Sequence, residues 1–463
     1  MSKPVNISII GAGSAQFSLN LVKDLCLTDN LADSQICFMD TNPARLETIY
    51  KLACRYAEQM GANLRFRHTT NQLESLQGAD FVINTAYMKG HYHEEKMREV
   101  VARHGYYHDG VSLGDFFQLR LALEIAINME KICPEAWLIQ SANPVFVCST
   151  LIQRQTTIKS VGLCHGHLGA MEIAETLGLS KDEITFQAVG FNHNIWLTHF
   201  HFRGADAYPL IDEWIKNQAE EYWATHTASN THDIQMSRAA VQNYLMYGLF
   251  PVGDTSRRGG GSSCATAARA EWWYHTDIKT KKHWFGEPWG GPDTELGRPY
   301  FVKGLESRIQ AINRMANDPQ ANLVEALGRT KSDEQIIPMI DGLINDSQGI
   351  YQVNILNQGA LTGIPDNVVV ELPALVSVQG IQPIQIGVLP PKILYNCLLP
   401  HWLEMERNLL AFETGDQSVL LWNALDSQQT RSYEQAVAVV DDLLAIDGNQ
   451  DMARHFSYPP HWK

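Results

Sequence analysis

A doubly wound α/β fold carrying a second, α+β lobe is what this sequence predicts, on three observations. The first third alternates short apolar runs with amphipathic stretches, and a glycine turn follows the first apolar run at once. Beyond about residue 195 the alternation gives way to longer helical stretches.

Taken in order, Val5 to Ile10 predicts a buried strand, Leu19 to Leu27 a helix and Gln35 to Met39 a second strand ending at Asp40. Pro43 to Gly61 predicts a helix, Asp80 to Ala86 a strand, Gln118 to Ile132 a helix and Trp137 to Ser141 a further strand. Strands alternating with helices imply a parallel sheet covered on both faces. Val161 to Leu163 adds a strand, and Phe186 to Gly190 with Ile195 to Phe202 marks the start of a different lobe. Helices are expected at Ser237 to Tyr247, Arg298 to Ala316, Pro390 to Thr414 and Tyr433 to Leu444, around an extended block from Tyr351 to Val376. The expected division is a dinucleotide-binding domain over 1–195 and an α+β substrate and oligomerisation domain over 196–463.

A chain of 463 residues has ample core for two such lobes. A formal charge of −15 disfavours nucleic acid and anionic lipid as partners, and no apolar run approaches the ~20 residues of a membrane span. The first residues lack the pattern of a signal peptide, so a cytoplasmic location is expected. Eight cysteines without C-x-x-C spacing read as free thiols.

Gly11-Ala12-Gly13-Ser14-Ala15-Gln16 follows the first strand and opens the first helix, the context of a Rossmann-type dinucleotide site. Gly11 permits the tight turn, Gly13 the approach of the pyrophosphate, and the helix N-terminus offers free N–H groups to phosphate. Gln16 stands where a third glycine is usual. Asp40, ending the second strand, suits the ribose hydroxyls and favours NAD over NADP. Asn84 and Thr85, closing another strand, are expected beside the nicotinamide.

Ser141-Ala142-Asn143-Pro144-Val145 resembles a strand-end segment shared by lactate and malate dehydrogenases and by glycoside hydrolase family 4. Cys164-His165-Gly166-His167 and Gly190-Phe191-Asn192-His193-Asn194 end two further strands, which can bring Cys164 and His193 together. A thiolate and an imidazole suit a divalent transition metal. Taken alone, the pair reads more readily as a packed thiol and a hydrogen-bonded imidazole.

The segments Ile9 to Ser18, His104 to Tyr107, Ser141 to Phe146, Cys164 to Gly169, Gly190 to Leu197, Gly253 to Thr255 and Gly286 to Gly291 resemble those of family 4 glycosidases, in that family's order. The resemblance is nearest to the α-glucosidase subgroup, which carries Cys-His-Gly-His and acts on unphosphorylated sugars. It departs between Tyr107 and Gln118, where the loop is shorter, and at Gly259 to Cys264, which has no counterpart.

The resemblance implies a glycosidase that uses NAD to oxidise C3 of the sugar, removes the C2 proton, expels the aglycone, adds water and returns the hydride. This family is an exception to the two-carboxylate mechanism. It implies Mn²⁺ or another divalent metal on Cys164 and His193, His165 as general acid and Asp254 as base at C2. Asn143, Arg257 and Asp115 become substrate contacts, and a homodimer or homotetramer is implied. His165 also reads as a strand-end histidine, Asp254 as a turn aspartate, and Arg257 and Arg258 as solvated charges. His167 and Cys264 receive no role. The expected substrate is a small α-glycoside, an unphosphorylated α-glucoside first. The alternatives are an α-glucuronide or α-galacturonide, for which Arg257-Arg258 would supply a cation near C6, an α-galactoside, a 2-hydroxy-acid dehydrogenase or a silent NAD-binding sensor.

Overall fold

The computed structural model describes residues 3–107, 115–257, 277–427 and 429–459. Its strands are β1 Asn6–Ile10, β2 Gln35–Met39, β3 Arg65–Thr69, β4 Phe81–Asn84, β5 Trp137–Gln140 and β6 Lys159–Gly162. They continue with β7 Ile184–Phe191, β8 Asn194–Phe202, β9 Ala205–Asp206, β10 Phe250–Val252, β11 Gly349–Leu356, β12 Val369–Ser377 and β13 Gly380–Pro383.

The first six strands are parallel in the order β3-β2-β1-β4-β5-β6, the arrangement of a dinucleotide-binding sheet, whose switch point lies between β1 and β4. Buried Ile7, Ile9, Phe38, Phe81 and Ile139 share one face by their register, and Ile10, Val82 and Leu138 the other. Such strands need apolar residues at successive positions, because helices cover both sides.

The sheet then continues as β6-β11-β12-β7-β8-β10, each pair antiparallel. Strands from beyond residue 348 are thus inserted between β6 and β7, and both halves of the chain share one sheet. The boundary expected at residue 195 falls inside β8, one arm of the β7–β8 hairpin.

Most of the expected elements are present with shifted ends. The first helix is Ala15–Cys26, starting on the glycine turn itself, and the next is Pro43–Met60, closed by Gly61 in the left-handed conformation. The extended block resolves into β11 and β12. The unexpected elements include β3, the helices Val145–Gln155 and Ile336–Asn345, and the helix Gly90–Arg103, whose polar composition hides its buried face of Arg98, Val100 and Val101. Among the described residues no helix is long and apolar enough to cross a membrane.

Candidate active site

The glycine turn is shaped by its neighbours. Gly11 has φ +86°, and a Cβ there would lie 2.5 Å from the backbone of Ala86; a Cβ on Gly13 would lie 2.6 Å from the Asp40 carboxylate. Asp40 accepts from the Gly13 N–H at 2.7 Å through one oxygen and from Asn42 N–H at 2.8 Å through the other. The second glycine is therefore required by the acid at the end of β2, a closer constraint than pyrophosphate approach. A carboxylate keeps lone pairs for ribose hydroxyls beyond these two bonds.

Ser14 is exposed at the start of Ala15–Cys26, and no side chain caps that helix among the described residues; the Ser14 and Phe17 N–H groups bond the carbonyls of Gly11 and Ser14, so those of Ala15 and Gln16 are the ones to offer phosphate. Gln16 is exposed and reaches along the helix to Asn20 at 3.2 Å. The Thr85 hydroxyl lies 3.1 Å from the carbonyls of Ile10 and Gly11, bracing the turn. Asn84 is buried, with its amide on Gln140 at 2.9 Å and its oxygen on the Ala86 N–H at 3.1 Å. Its side chain faces this internal network, so it shapes the β4 exit from within.

Asn143, just beyond β5, is exposed. Its backbone carbonyl accepts at 2.8 Å from buried Gln118, which also binds the Ala86 carbonyl and the Met88 N–H. Gln118 thereby ties the exits of β4 and β5 together. Asp115, beginning the helix Phe116–Ile132, has one carboxyl oxygen, Oδ2, without a hydrogen-bond partner among the described residues, and burial raises its carboxyl to about 6.

Cys164 and His193 meet as expected: Sγ lies 3.4 Å from Nε2. The route differs from two parallel strand ends. Asn192 and His193 form the turn of the β7–β8 hairpin, and His193 takes φ +61°, a left-handed backbone uncommon outside glycine. A cation with sulfur at about 2.3 Å and nitrogen at about 2.1 Å would separate them by roughly 3.1–3.6 Å, for ligand angles from square to tetrahedral. The pair fits one ion. Among the described residues no group of three or more His, Cys, Asp or Glu could hold a metal. Burial, then the Glu371 carboxylate, push the Cys164 thiol up to about 12, so it needs a bound cation to become a thiolate at neutral pH.

On the far side of His193, Nδ1 lies 3.7 Å from Asp254 Oδ2. Asp254 stands in the 3-10 turn Gly253–Arg257, which buried Thr255 fixes to β8: its hydroxyl accepts from Ile195 N–H at 2.8 Å and donates to the Val252 carbonyl at 2.6 Å. A Cβ on Gly253 would lie 2.8 Å from the Gly166 backbone, so the two glycines let this turn rest directly on the Cys164–His167 segment. Arg257 closes the turn; its side chain, Arg258 and Gly259 to Cys264 lie outside the described residues, as does the loop 108–114.

His165 is half exposed, and its Nε2 lies 2.8 Å from Glu334 Oε1. That hydrogen bond raises the imidazole pKa against the effect of burial, which favours the charged form a general acid needs. His167 is the opposite case: burial, then the charge of His165, lower it to about 4, and it packs beside Gln335 as a neutral ring. Glu334, Gln118 and the Asn192 amide were not foreseen. Asn192 adjoins a named residue, but Glu334 lies 169 positions from His165 with no local pattern to mark it.

The profile of the family 4 glycosyl hydrolases matches residues 6–179, and that of their C-terminal domain matches residues 188–428. The chain belongs to glycosyl hydrolase family 4. It is 25% identical to an α-galactosidase of Bacillus subtilis over 96% of this chain and 98% of the other. It is 26% identical to an α-glucosidase of Erwinia rhapontici, covering 95% and 97%. A 6-phospho-α-glucosidase from gut microorganisms, solved with NAD and Mn²⁺, has the same fold at a TM-score of 0.74 and 18% identity, covering 97% and 99%. A lactate dehydrogenase of Eimeria maxima shares the fold more loosely, at a TM-score of 0.51 and 14% identity over 90% and 97%. The expected Rossmann-type sheet is the family's own. The dehydrogenase reading gives way to hydrolysis of a glycoside.

Proposed function

We propose that this family 4 enzyme hydrolyses an unphosphorylated α-glucoside with NAD and a divalent cation, Mn²⁺ first. The observation that carries the reading is the line Cys164–His193–Asp254, with Sγ to Nε2 at 3.4 Å and Nδ1 to Oδ2 at 3.7 Å. The solved relative with NAD and Mn²⁺ supports the cofactors.

Gly11, Gly13, Ser14, Ala15 and Gln16 would cradle the pyrophosphate, Asp40 the adenosine ribose, and Thr85 and Asn84 shape the nicotinamide end. Cys164 and His193 would hold the cation. When bound, the nicotinamide exchanges hydride with sugar C3 and the cation polarises the C2 and C3 oxygens. Asp254, beside the His193 ring, takes the C2 proton. His165, kept charged by Glu334, gives its proton to the departing oxygen. Asn143 and Asp115 bind sugar hydroxyls, the orphaned Asp115 oxygen being an acceptor in need of a donor.

A neutral glycone is favoured by the charges around Asp115. Glu94 acts on its carboxyl, while Arg98 and Arg298 are engaged by Glu94 and Glu95, and Arg98 by Asp293 as well. Cations so balanced give a uronate little reward for its own desolvation. Arg257 is kept as a substrate contact in the same proposal. A cytoplasmic location and a homodimer or homotetramer complete it. Exposed Tyr395, Leu403, Leu410 and Trp422 on the helices from Pro391 to Asp426 support self-association, which light scattering on the eluted protein measures.

The test is incubation with NAD, Mn²⁺, a thiol reductant and aryl α-glucoside, α-galactoside or α-galacturonide in D₂O. Release of aglycone fastest from the glucoside, with deuterium at C2 and no net NADH, is expected. Release without C2 exchange would refute the elimination, and a faster galactoside or galacturonide would reassign the glycone.

A further inference from the structure

Glu371 is the third residue of β12 and is 1% exposed, a burial that acids rarely have without a cation beside them. Among the described ion pairs none involves it. Three side-chain amides surround it instead: Asn192 donates to Oε2 at 2.9 Å, Gln352 lies 3.5 Å from Oε1, and Asn354 also hydrogen-bonds it.

The position of this cluster matters. Gly162 of β6 pairs with Asn354 of β11, Asn354 with Glu371 of β12, and Glu371 with Gly190 of β7. These four residues form one row across the sheet where the parallel half meets the antiparallel half. Cys164 follows Gly162 by two residues and His193 follows Gly190 by three. Asn354 also reaches the Gly162 carbonyl at 3.5 Å. Asn192, between Gly190 and His193, hydrogen-bonds the Cys164 sulfur while giving its amide to Glu371.

A side-chain amide has two protons, so Asn192 can hold the carboxylate with one and the sulfur with the other. Swapping its N and O would lose both donors. Glu371 accepts only N–H here and thereby selects the orientation that presents a donor to sulfur.

We propose that Glu371 is a positioning residue of the cation site, acting on Cys164 through the Asn192 amide. The inference rests on Cys164 and His193 being the metal pair. Partners one shell removed from a metal typically alter its affinity by about 10–100-fold.

The experiment uses the full chain with NAD present, titrates Mn²⁺ and reads the free ion by electron paramagnetic resonance. Parent, Glu371→Gln, Asn192→Ser and the double variant are compared, with NAD affinity measured by nucleotide fluorescence and folding by thermal melting. Glu371→Gln is expected to bind Mn²⁺ about 10–100-fold more weakly with NAD affinity within about twofold. The double variant should lose little more than the larger single loss, since both act through one amide. A folded Glu371→Gln with parental Mn²⁺ affinity, or additive losses in the double variant, overturns the proposal. If Glu371→Gln does not fold, Glu371→Asp, which keeps the charge and withdraws it by a methylene, is read by the same criteria. Cys164→Ser separates the two levels: parental Mn²⁺ affinity there removes the metal pair itself, whereas lost affinity there with an unaffected Glu371 variant removes only the role of Glu371.

Discussion

Replacing Thr255 by valine tests whether its hydroxyl holds the Asp254 turn. The side chains are close in shape, and Thr255 is 2% exposed, so the change mainly removes polar contacts. The Ile195 N–H, which reaches the hydroxyl at 2.8 Å, loses its acceptor, and the Val252 carbonyl loses a donor at 2.6 Å. An orphaned buried N–H costs about 1–3 kcal/mol and the second bond about 1 kcal/mol, or roughly 2–4 kcal/mol in all. Hydrogen exchange of the Ile195 amide, resolved by mass spectrometry of peptic fragments, should accelerate by about thirtyfold to several hundredfold. Asp254 is the neighbouring residue, and displacement by about 1 Å can cost roughly a hundredfold in rate, so kcat/KM should fall by about tenfold or more. Thr255→Ser, which keeps the hydroxyl, should restore most of both. Exchange within about twofold of the parent together with full activity in Thr255→Val would refute the clamp.

Glu334→Gln removes the principal interaction that raises His165. The group is more readily protonated folded than unfolded, so its contribution to stability is complete below the unfolded value of about 6.5 and is lost as pH rises through the folded one. The alkaline limb of kcat/KM should move to lower pH in the variant; an unmoved limb would deny His165 the role of acid. Asp40→Ala should weaken NAD binding and reduce the preference for NAD over NADP in equilibrium titration, and an unchanged ratio would remove Asp40 from ribose recognition. Chelation followed by dialysis should abolish turnover, with Mn²⁺ restoring it to the parent but not to Cys164→Ala; turnover surviving complete metal removal would exclude the cation from the reaction.

The parallel half of the fold, β3 apart, was legible because its strands are local apolar runs, and Tyr433–Leu444 was legible because its apolar residues repeat at helical spacing. Arg65–Thr69 escaped because Arg65, Arg67 and His68 break its apolar pattern, and pairing to β2 makes it a strand. The insertion of β11 and β12 between β6 and β7 has no local signal at all. The same distinction runs through the site. Cys164 and His193 were legible from their motifs and do meet, but the hairpin geometry that joins them has no local signal. Gly13 carried the right residue for a different immediate reason, its contact with Asp40. Glu334 and Glu371 belong to the site only through distant chain pairing, and nothing in their neighbours announces it.

The row Gly162–Asn354–Glu371–Gly190 gives the polypeptide an order of assembly. During synthesis the glycine turn, Asp40 and even both proposed metal ligands have left the ribosome before Asn354 exists. Until that residue and Glu371 arrive, β6 and β7 have no partner between them, and loop closure across nearly two hundred residues favours neither. A nascent or truncated chain can therefore acquire a nucleotide-binding half while its metal-binding geometry is unformed. Readiness for the cation becomes a report that the far end of the protein has been threaded home.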